Sequence, residues 1–315
     1  MPFSTYCPQL WNGVTIDNKG NVFSCCHIQP GYFGNIYSSN LRDIVNSEKA
    51  VQYRTFSLNG YLQCYVKCTL LTISYKIQPP ENISPYCDYN KMTRLHLNFG
   101  EKCNIACIMC KQPARYKVDK EILNPSVLVA NIDISPFQEI VIQGGETLFI
   151  PQCIEYMDYL ASQGKKYTVL TNGTLIDNVM AEKLSLEAAV VSISINAATK
   201  ETHEKVNQGS KWEKVISNIK NLVDYRDKNK TSLVIYGRMT LTTHSLHEIP
   251  MFLEKYREFG FDRINFGFDK NTVPTYLQQY PEFNRMLSKS VQEKIKNADC
   301  TKIDTLRLEQ LGLLD

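Results

Sequence analysis

RLHLNFGEKCNIACIMCKQ, residues 94–112, sets a short β-rich run directly against three cysteines spaced four and then three apart. His96 alternates with Leu95 and Leu97, the period of a strand, and Cys103, Cys107 and Cys110 fall in the loop that follows. Five further runs repeat the first: EIVIQGG (139–145), KYTVLTNG (166–173), AVVSISIN (189–196), SLVIYGRM (232–239) and RINFGFD (263–269). Each has the composition of a buried parallel strand. The segments 151–164, 178–188, 211–229 and 247–260 between them carry helical spacing, and several stop at glycine. Six β-α units in series predict the α/β class: a partial (β/α)6 TIM-type barrel whose functional site lies at the loops beyond the C-terminal ends of its strands. The cysteine loop occupies such an end.

Composition narrows the possible partners. A chain of 315 residues, 43% hydrophobic and 21% charged, can bury one large core or two smaller ones. Lys and Arg number 35 against 32 Asp and Glu, which leaves no basic footprint for nucleic acid. No stretch approaches the roughly 20 apolar residues of a membrane helix, and MPFSTYCPQLWNG lacks a basic segment followed by an apolar run. The sequence predicts a cytoplasmic, unanchored protein.

Eleven cysteines without a secretion signal point to metal rather than disulfides, because a reducing compartment keeps thiols free. They group: Cys7, Cys25, Cys26, Cys64, Cys68 and Cys87 precede residue 90, Cys103, Cys107 and Cys110 share one loop, and Cys153 and Cys300 stand apart. A structural zinc site takes four protein ligands, whereas a four-iron cluster can leave one iron uncapped. Three thiolates with no fourth ligand favour the cluster.

This C-x3-C-x2-C loop behind a first strand resembles the signature of the radical S-adenosylmethionine (SAM) superfamily. The resemblance implies a site-differentiated 4Fe-4S cluster on Cys103, Cys107 and Cys110, whose open iron chelates SAM, and a barrel core over about residues 91–270. Gln143-Gly144-Gly145-Glu146 follows the second strand where the family carries a GGE motif that meets the SAM amino group. Two glycines permit close backbone approach, and Glu146 offers a carboxylate to an ammonium group. Asn172, in TNGT, and Ser194 and Asn196, in SISIN, resemble positions that bind ribose hydroxyls in relatives; strand-end capping explains them equally well. Arg238 suits bidentate recognition of the cofactor carboxylate, or a structural ion pair. Met109 stands where relatives more often carry an aromatic residue.

Ahead of the barrel, Cys7-x12-Gly20-x4-Cys25 and the GNI-containing stretch after it resemble the opening of SPASM and twitch auxiliary-cluster modules. IDNKGNVFSC reads as a β-hairpin turning at Asp17 to Gly20. The resemblance implies a small cysteine-rich α+β domain over residues 1–90 and a second 4Fe-4S cluster on Cys7, Cys25, Cys64 and Cys68. Zinc would use the same four thiolates. Cys26 is an alternative to Cys25, Cys87 reads as a ligand or a free thiol, and His27 adjoins the set. SPASM-like modules ordinarily follow the barrel, and here the module precedes it. Residues 271–315 read as a C-terminal helical extension.

Other residues have plainer readings. Cys153 lies on an amphipathic helix as a core residue, and His203, His244 and His247 read as surface or capping groups. His96 points into the barrel or is a satisfied interior histidine. Tyr116, Tyr236 and Phe266 are candidate cavity linings. The expected activity is reductive cleavage of SAM to a 5'-deoxyadenosyl radical and oxidative or bond-forming modification of a peptide or protein. A sugar or aminoglycoside-type small molecule is the alternative substrate, and a non-catalytic zinc or iron-sulfur protein the second alternative. An external reductant such as flavodoxin or ferredoxin is implied, without nucleic-acid or membrane partners. No catalytic side chain is assigned.

Overall fold

The structure, a computed structural model, describes residues 6–25, 32–61, 79–110, 121–296 and 298–314. Its strands are Gly13–Ile16 (β1), Asn21–Phe23 (β2), Gly34–Asn35 (β3), Arg94–Asn98 (β4), Ala106–Cys107 (β5), Glu139–Gln143 (β6), Tyr167–Thr171 (β7), Ala188–Ser194 (β8), Asn207–Gln208 (β9), Val234–Leu241 (β10), Arg263–Phe268 (β11) and Ile303–Asp304 (β12). The six runs read from the sequence all form, as β4, β6, β7, β8, β10 and β11. The helices used below are Glu48–Leu58 (α1), Pro151–Ser162 (α2), Asn178–Glu187 (α3), Lys200–Val206 (α4), Trp212–Asn229 (α5), Ile249–Lys255 (α6), Val273–Gln279 (α7), Pro281–Lys296 (α8) and Leu306–Gln310 (α9). The class is α/β, as the strand-helix alternation predicts.

The chain forms two compact units. The first comprises residues 1–100, 119–144 and 151–160. Its strands lie in the order β6-β4-β1-β2-β3. β4 runs parallel to β6 and also to β1, with Val14 beside Leu95 and Ile16 beside Leu97. The segment ahead of the barrel therefore supplies a strand to the sheet of the first barrel strand. Val14, Ile16, Leu95, Leu97, Ile140 and Ile142 are all essentially inaccessible. Each such burial is worth about 1.5–3 kcal/mol relative to exposure. Phe99 packs on Tyr156 of α2 with ring centroids 5.8 Å apart, and Cys153 is wholly buried on the same helix, in line with its amphipathic pattern.

β1 and β2 form the expected hairpin, antiparallel with Ile16 opposite Val22. Gly20 closes its turn at φ +81, donating its N–H to Asp17 O, while Asp17 Oδ1 accepts from the N–H groups of Lys19 and Asn21. A Cβ at Gly20 would also come within 2.4 Å of the Tyr37 ring, so glycine is required there twice over. Nearby, Arg54 of α1 is fully buried and donates from Nε to Leu10 O at 2.7 Å and from Nη1 to Pro85 O at 3.2 Å. Backbone carbonyls thus satisfy a cation that burial alone would make costly.

The second unit comprises residues 101–118, 145–150 and 161–315. Strands β7-β8-β10-β11-β12 lie in that order and are parallel throughout. Helices α3, α4 and α5 cover them, and Asp177 and Thr199 cap α3 and α4 by accepting from the N–H groups of Met180 and Thr202. α5 ends on Lys230 in the left-handed region, φ 50, rather than on glycine. Residues 271–315 read from sequence as helical. They supply α7, α8 and α9, but also β12, which pairs Ile303 and Asp304 with Ile264 and Asn265 of β11. A two-residue strand is too short to leave a periodic signal.

Candidate iron-sulfur and SAM site

The cysteine loop lies in the second unit and is held from two sides. Cys107 sits in β5, which pairs antiparallel with β9 so that Cys107 stands beside Asn207 and Ala106 beside Gln208. The Ile108 N–H donates to Val206 O at 2.9 Å. On the other side the Glu146 N–H donates to Lys102 O at 2.8 Å, and a Cβ at Gly145 would lie 2.1 Å from Glu101 O. Only glycine lets the 145–150 segment approach the cysteine loop so closely. Gly145 thus admits the loop's own backbone; the sequence reading had it admit the cofactor.

Two asparagine networks tie the loop to strand ends. Asn172, just after β7, donates from Nδ2 to Asn104 Oδ1 at 2.8 Å and approaches Cys103 Sγ at 4.0 Å, while its Oδ1 accepts from the Thr174 N–H and hydroxyl. Asn104 Nδ2 in turn donates to Thr174 Oγ1 at 2.8 Å. Asn196, in the left-handed region at φ 60, donates from Nδ2 to Asn207 Oδ1 and accepts the Thr240 N–H at Oδ1. Asn207 Oδ1 also accepts from Cys107 Sγ at 3.3 Å, and its Nδ2 donates to Ile195 O. The side-chain amides of Asn172 and Asn196, read from sequence as ribose contacts, are therefore engaged with protein groups.

Glu146 is 1% exposed, and its carboxylate turns inward. Oε1 accepts from Thr171 Oγ1 at 2.6 Å and the Leu148 N–H at 3.1 Å; Oε2 accepts from the Asn172 N–H at 2.6 Å. Burial outweighs these donors and pushes its pKa up to about 7. Gln143 and Gly144 are half-buried at the end of β6 in the first unit, where Gln143 Oε1 accepts from His96 Nε2–H at 3.0 Å. Ser194 and Arg238 are in-register neighbours on β8 and β10, both half-buried. Neither side chain has a hydrogen-bond partner among the described residues. Burial and the nearby Arg307 pull the Arg238 pKa down, while Gly267 leaves room beside its Nη2, 3.1 Å from where a Cβ would stand.

The thiols fit a cluster. Cys103 is buried, Cys107 half-buried and Cys110 exposed. Burial raises the Cys103 pKa and pushes that of Cys107 up to about 12, with the neighbouring thiols and Glu146 adding to both. Thiols whose pKa burial and neighbouring acidic groups raise become thiolates when a metal supplies positive charge. Among the described residues no three His, Cys, Asp or Glu side chains are placed to hold one metal ion. A cubane asks each thiolate to take a different iron, which suits ligands that stand apart.

Of the N-terminal set, Cys7 is buried, with its N–H donating to Ser57 Oγ at 3.3 Å, and Cys25 is half-buried just beyond β2. Cys64 and Cys68, with Cys26 and His27, lie outside the described residues, as does Tyr116. Cys87 is buried and its Sγ donates to Trp11 O at 3.1 Å.

Some readings are corrected. His203 is fully buried rather than on the surface, bonding Ile195 O through Nδ1 and Ser210 Oγ through Nε2, both at 2.8 Å; His244 and His247 are exposed as expected. Phe266 packs in the core on Phe252, centroids 5.9 Å apart. Asn207 and Thr174 were not singled out from sequence. Asn207 follows the last residue of α4, four positions after His203, and its Nδ2 lies 3.2 Å from His203 Nδ1; that spacing is the one local signal that could have found the pair.

Comparison with known proteins agrees with this arrangement. The profile of the Radical SAM superfamily matches residues 97–249, and that of the SPASM iron-sulfur cluster-binding domain matches residues 7–69. A probable GTP 3',8-cyclase of Methanocaldococcus jannaschii is 27% identical over 175 residues, 53% of this chain and 55% of that protein. The antilisterial bacteriocin subtilosin biosynthesis protein AlbA of Bacillus subtilis is 25% identical over 191 residues, 55% of this chain and 39% of that protein. SuiB of Streptococcus suis, in its complex with the precursor peptide SuiA, superposes with a TM-score of 0.47 at 15% identity, covering 62% of this chain and 45% of that one. The match spans about half the length of such curated relatives. No helix of the described residues is long and apolar enough to cross a membrane. The cofactors are 4Fe-4S clusters and SAM, and the fold is the α/β partial barrel of the family. The chain carries a radical SAM superfamily domain and, ahead of it, a SPASM iron-sulfur module.

Proposed function

We propose that this chain cleaves SAM reductively at the cluster held by Cys103, Cys107 and Cys110 and uses the product to modify a peptide or protein by oxidation or bond formation at an unactivated C–H position. Bound to SAM, the reduced cluster supplies a 5'-deoxyadenosyl radical that abstracts hydrogen. The observation that carries the reading is that Cys103, Cys107 and Cys110 of one loop and the buried Glu146 carboxylate are close enough for the acidic groups to raise the Cys107 pKa together. Arg238 would take the cofactor carboxylate through its paired N–H donors, and Ser194 beside it a ribose hydroxyl. Gly144 and Gly145 would leave backbone within reach of the cofactor amino group. Glu146, Asn172 and Asn196 would act by fixing the loops around it.

Residues 1–90 would form the auxiliary-cluster domain, with Cys7, Cys25, Cys64 and Cys68 as ligands, ahead of a core over 91–270 and an extension over 271–315. An external flavodoxin or ferredoxin would supply electrons. The peptide substrate is supported by AlbA, a bacteriocin biosynthesis protein, while the GTP cyclase and an AdoMet-dependent heme synthase among the relatives favour a small molecule as the second reading.

The test is anaerobic reconstitution, then SAM with a strong reductant while 5'-deoxyadenosine is followed. The native chain should form it, and Cys107→Ala should not. Cleavage retained in that variant would remove the loop from the chemistry. A mass shift in a co-expressed peptide encoded nearby would select the peptide reading; dehydrogenation of a sugar alcohol would select the other.

A further inference from the structure

β4 turns Leu95 and Leu97 into the core and Arg94, His96 and Asn98 to the opposite face of its sheet. On that face Thr15 of β1 stands beside His96 on one side and Val141 of β6 on the other. His96 Nε2–H donates to Gln143 Oε1. An amide oxygen only accepts, so this contact selects the tautomer in which Nδ1 is a bare lone pair. Neither Nδ1 nor the Thr15 hydroxyl has a hydrogen-bond partner among the described residues. Burial holds the His96 pKa below its ordinary value, which keeps the ring neutral. Arg94 and Glu139 are the titratable groups on the same face; they pair with each other at 3.3 Å and leave no net charge.

We propose that His96 and Thr15 form a substrate subsite that receives an uncharged hydrogen-bond donor, a hydroxyl or an amide N–H. A carboxylate or phosphate would meet the Nδ1 lone pair with lone pairs of its own, and the paired Arg94 and Glu139 leave no net negative charge to hold an ammonium group. A neutral donor satisfies Nδ1, and the Thr15 hydroxyl can accept from or donate to the same group. The inference rests on the radical SAM reading and extends it by giving the strand from the cysteine-rich N-terminal region a part in substrate recognition. It is carried by the register that sets Thr15 beside His96, with β1 parallel to β4.

The experiment uses cluster-loaded, SAM-bound protein with 15N-labelled histidine and two probes, N-acetylserinamide and methyl α-glucoside. The His96 Nδ1 resonance should be that of an unprotonated nitrogen and should move upfield, saturably, with one of the two. N-acetylserinamide would indicate a peptide source for the donor, and methyl α-glucoside a sugar source. Thr15→Val, which removes the hydroxyl at nearly constant volume, should weaken that probe about tenfold, the loss of one hydrogen bond; His96→Phe should abolish its binding. A protonated Nδ1, no shift with either probe, or unchanged affinity in Thr15→Val would overturn the subsite. Deoxyadenosine formation without any probe reads the radical SAM assignment separately, so the two can fail independently.

Discussion

The Glu146 carboxylate takes the backbone N–H of Asn172 at 2.6 Å, bolting the turn after β6 to the end of β7. Because Asn172 in turn holds Asn104 of the cysteine loop, one buried acid sets the position of the cluster ligands through a single relay.

Replacing Glu146 by Gln puts an amide group among three donors, so at least one loses its acceptor. The expected cost is about 2 kcal/mol in urea unfolding of the metal-free protein. The sign of the pH dependence is also fixed. The folded pKa is raised to about 7 from the ordinary value of 4.5, so the folded state binds the extra proton, and stability falls as pH rises between those values and levels off above about 7. The Gln variant should lack this component, and identical pH profiles for the two proteins would show that the carboxylate ionises as an exposed one does.

Gly145→Ala forces a Cβ to within 2.1 Å of Glu101 O. Overpacking of this kind costs about 1–3 kcal/mol and displaces the loop. Reconstituted protein should carry fewer irons than the native chain and lose deoxyadenosine formation; native iron content in the variant would contradict the close approach.

His203→Phe leaves the Ser210 hydroxyl without its partner and the Ile195 carbonyl with Asn207 Nδ2 alone, at an expected cost of about 1–3 kcal/mol by thermal or urea unfolding. Burial lowers the His203 pKa, so the unfolded chain binds more protons below the ordinary value of 6.5, and stability falls as pH drops through that range. The Phe variant should be less sensitive to acid than the native protein.

Cys107 in metal-free protein should resist alkylation at pH 8. A thiol pushed up to about 12 holds little thiolate, the reactive form. Iodoacetamide followed by peptide mass spectrometry should label exposed Cys110 at least about tenfold faster than Cys107. Equal rates would show the two thiols in equivalent surroundings.

Local pattern settled a good deal. The β-rich runs at 94–100, 139–145, 166–173, 189–196, 232–239 and 263–269 became strands because strand formation follows short apolar composition bounded by glycine and polar turns. The hairpin at 16–25 follows from Asp17 and Gly20, which close its turn whatever surrounds them. The three-cysteine spacing is likewise legible in the chain alone, since Cys103, Cys107 and Cys110 fall within one loop.

Other features depended on which segments meet. No residue between 13 and 16 announces a parallel partner some 80 positions away, yet Val14 and Ile16 bury only because β4 lies beside them. Glu146 reads as a ligand for an ammonium group until the fold turns it inward toward Thr171 and Asn172. His203 looks like a surface residue until Trp212 and Ser210 enclose it. The sequence by itself determined the strands and the turn, because those depend on neighbours along the chain. Tertiary structure alone decided the partner of β1, the direction of Glu146 and the burial of His203, because burial and hydrogen-bond partners are set by segments distant in sequence.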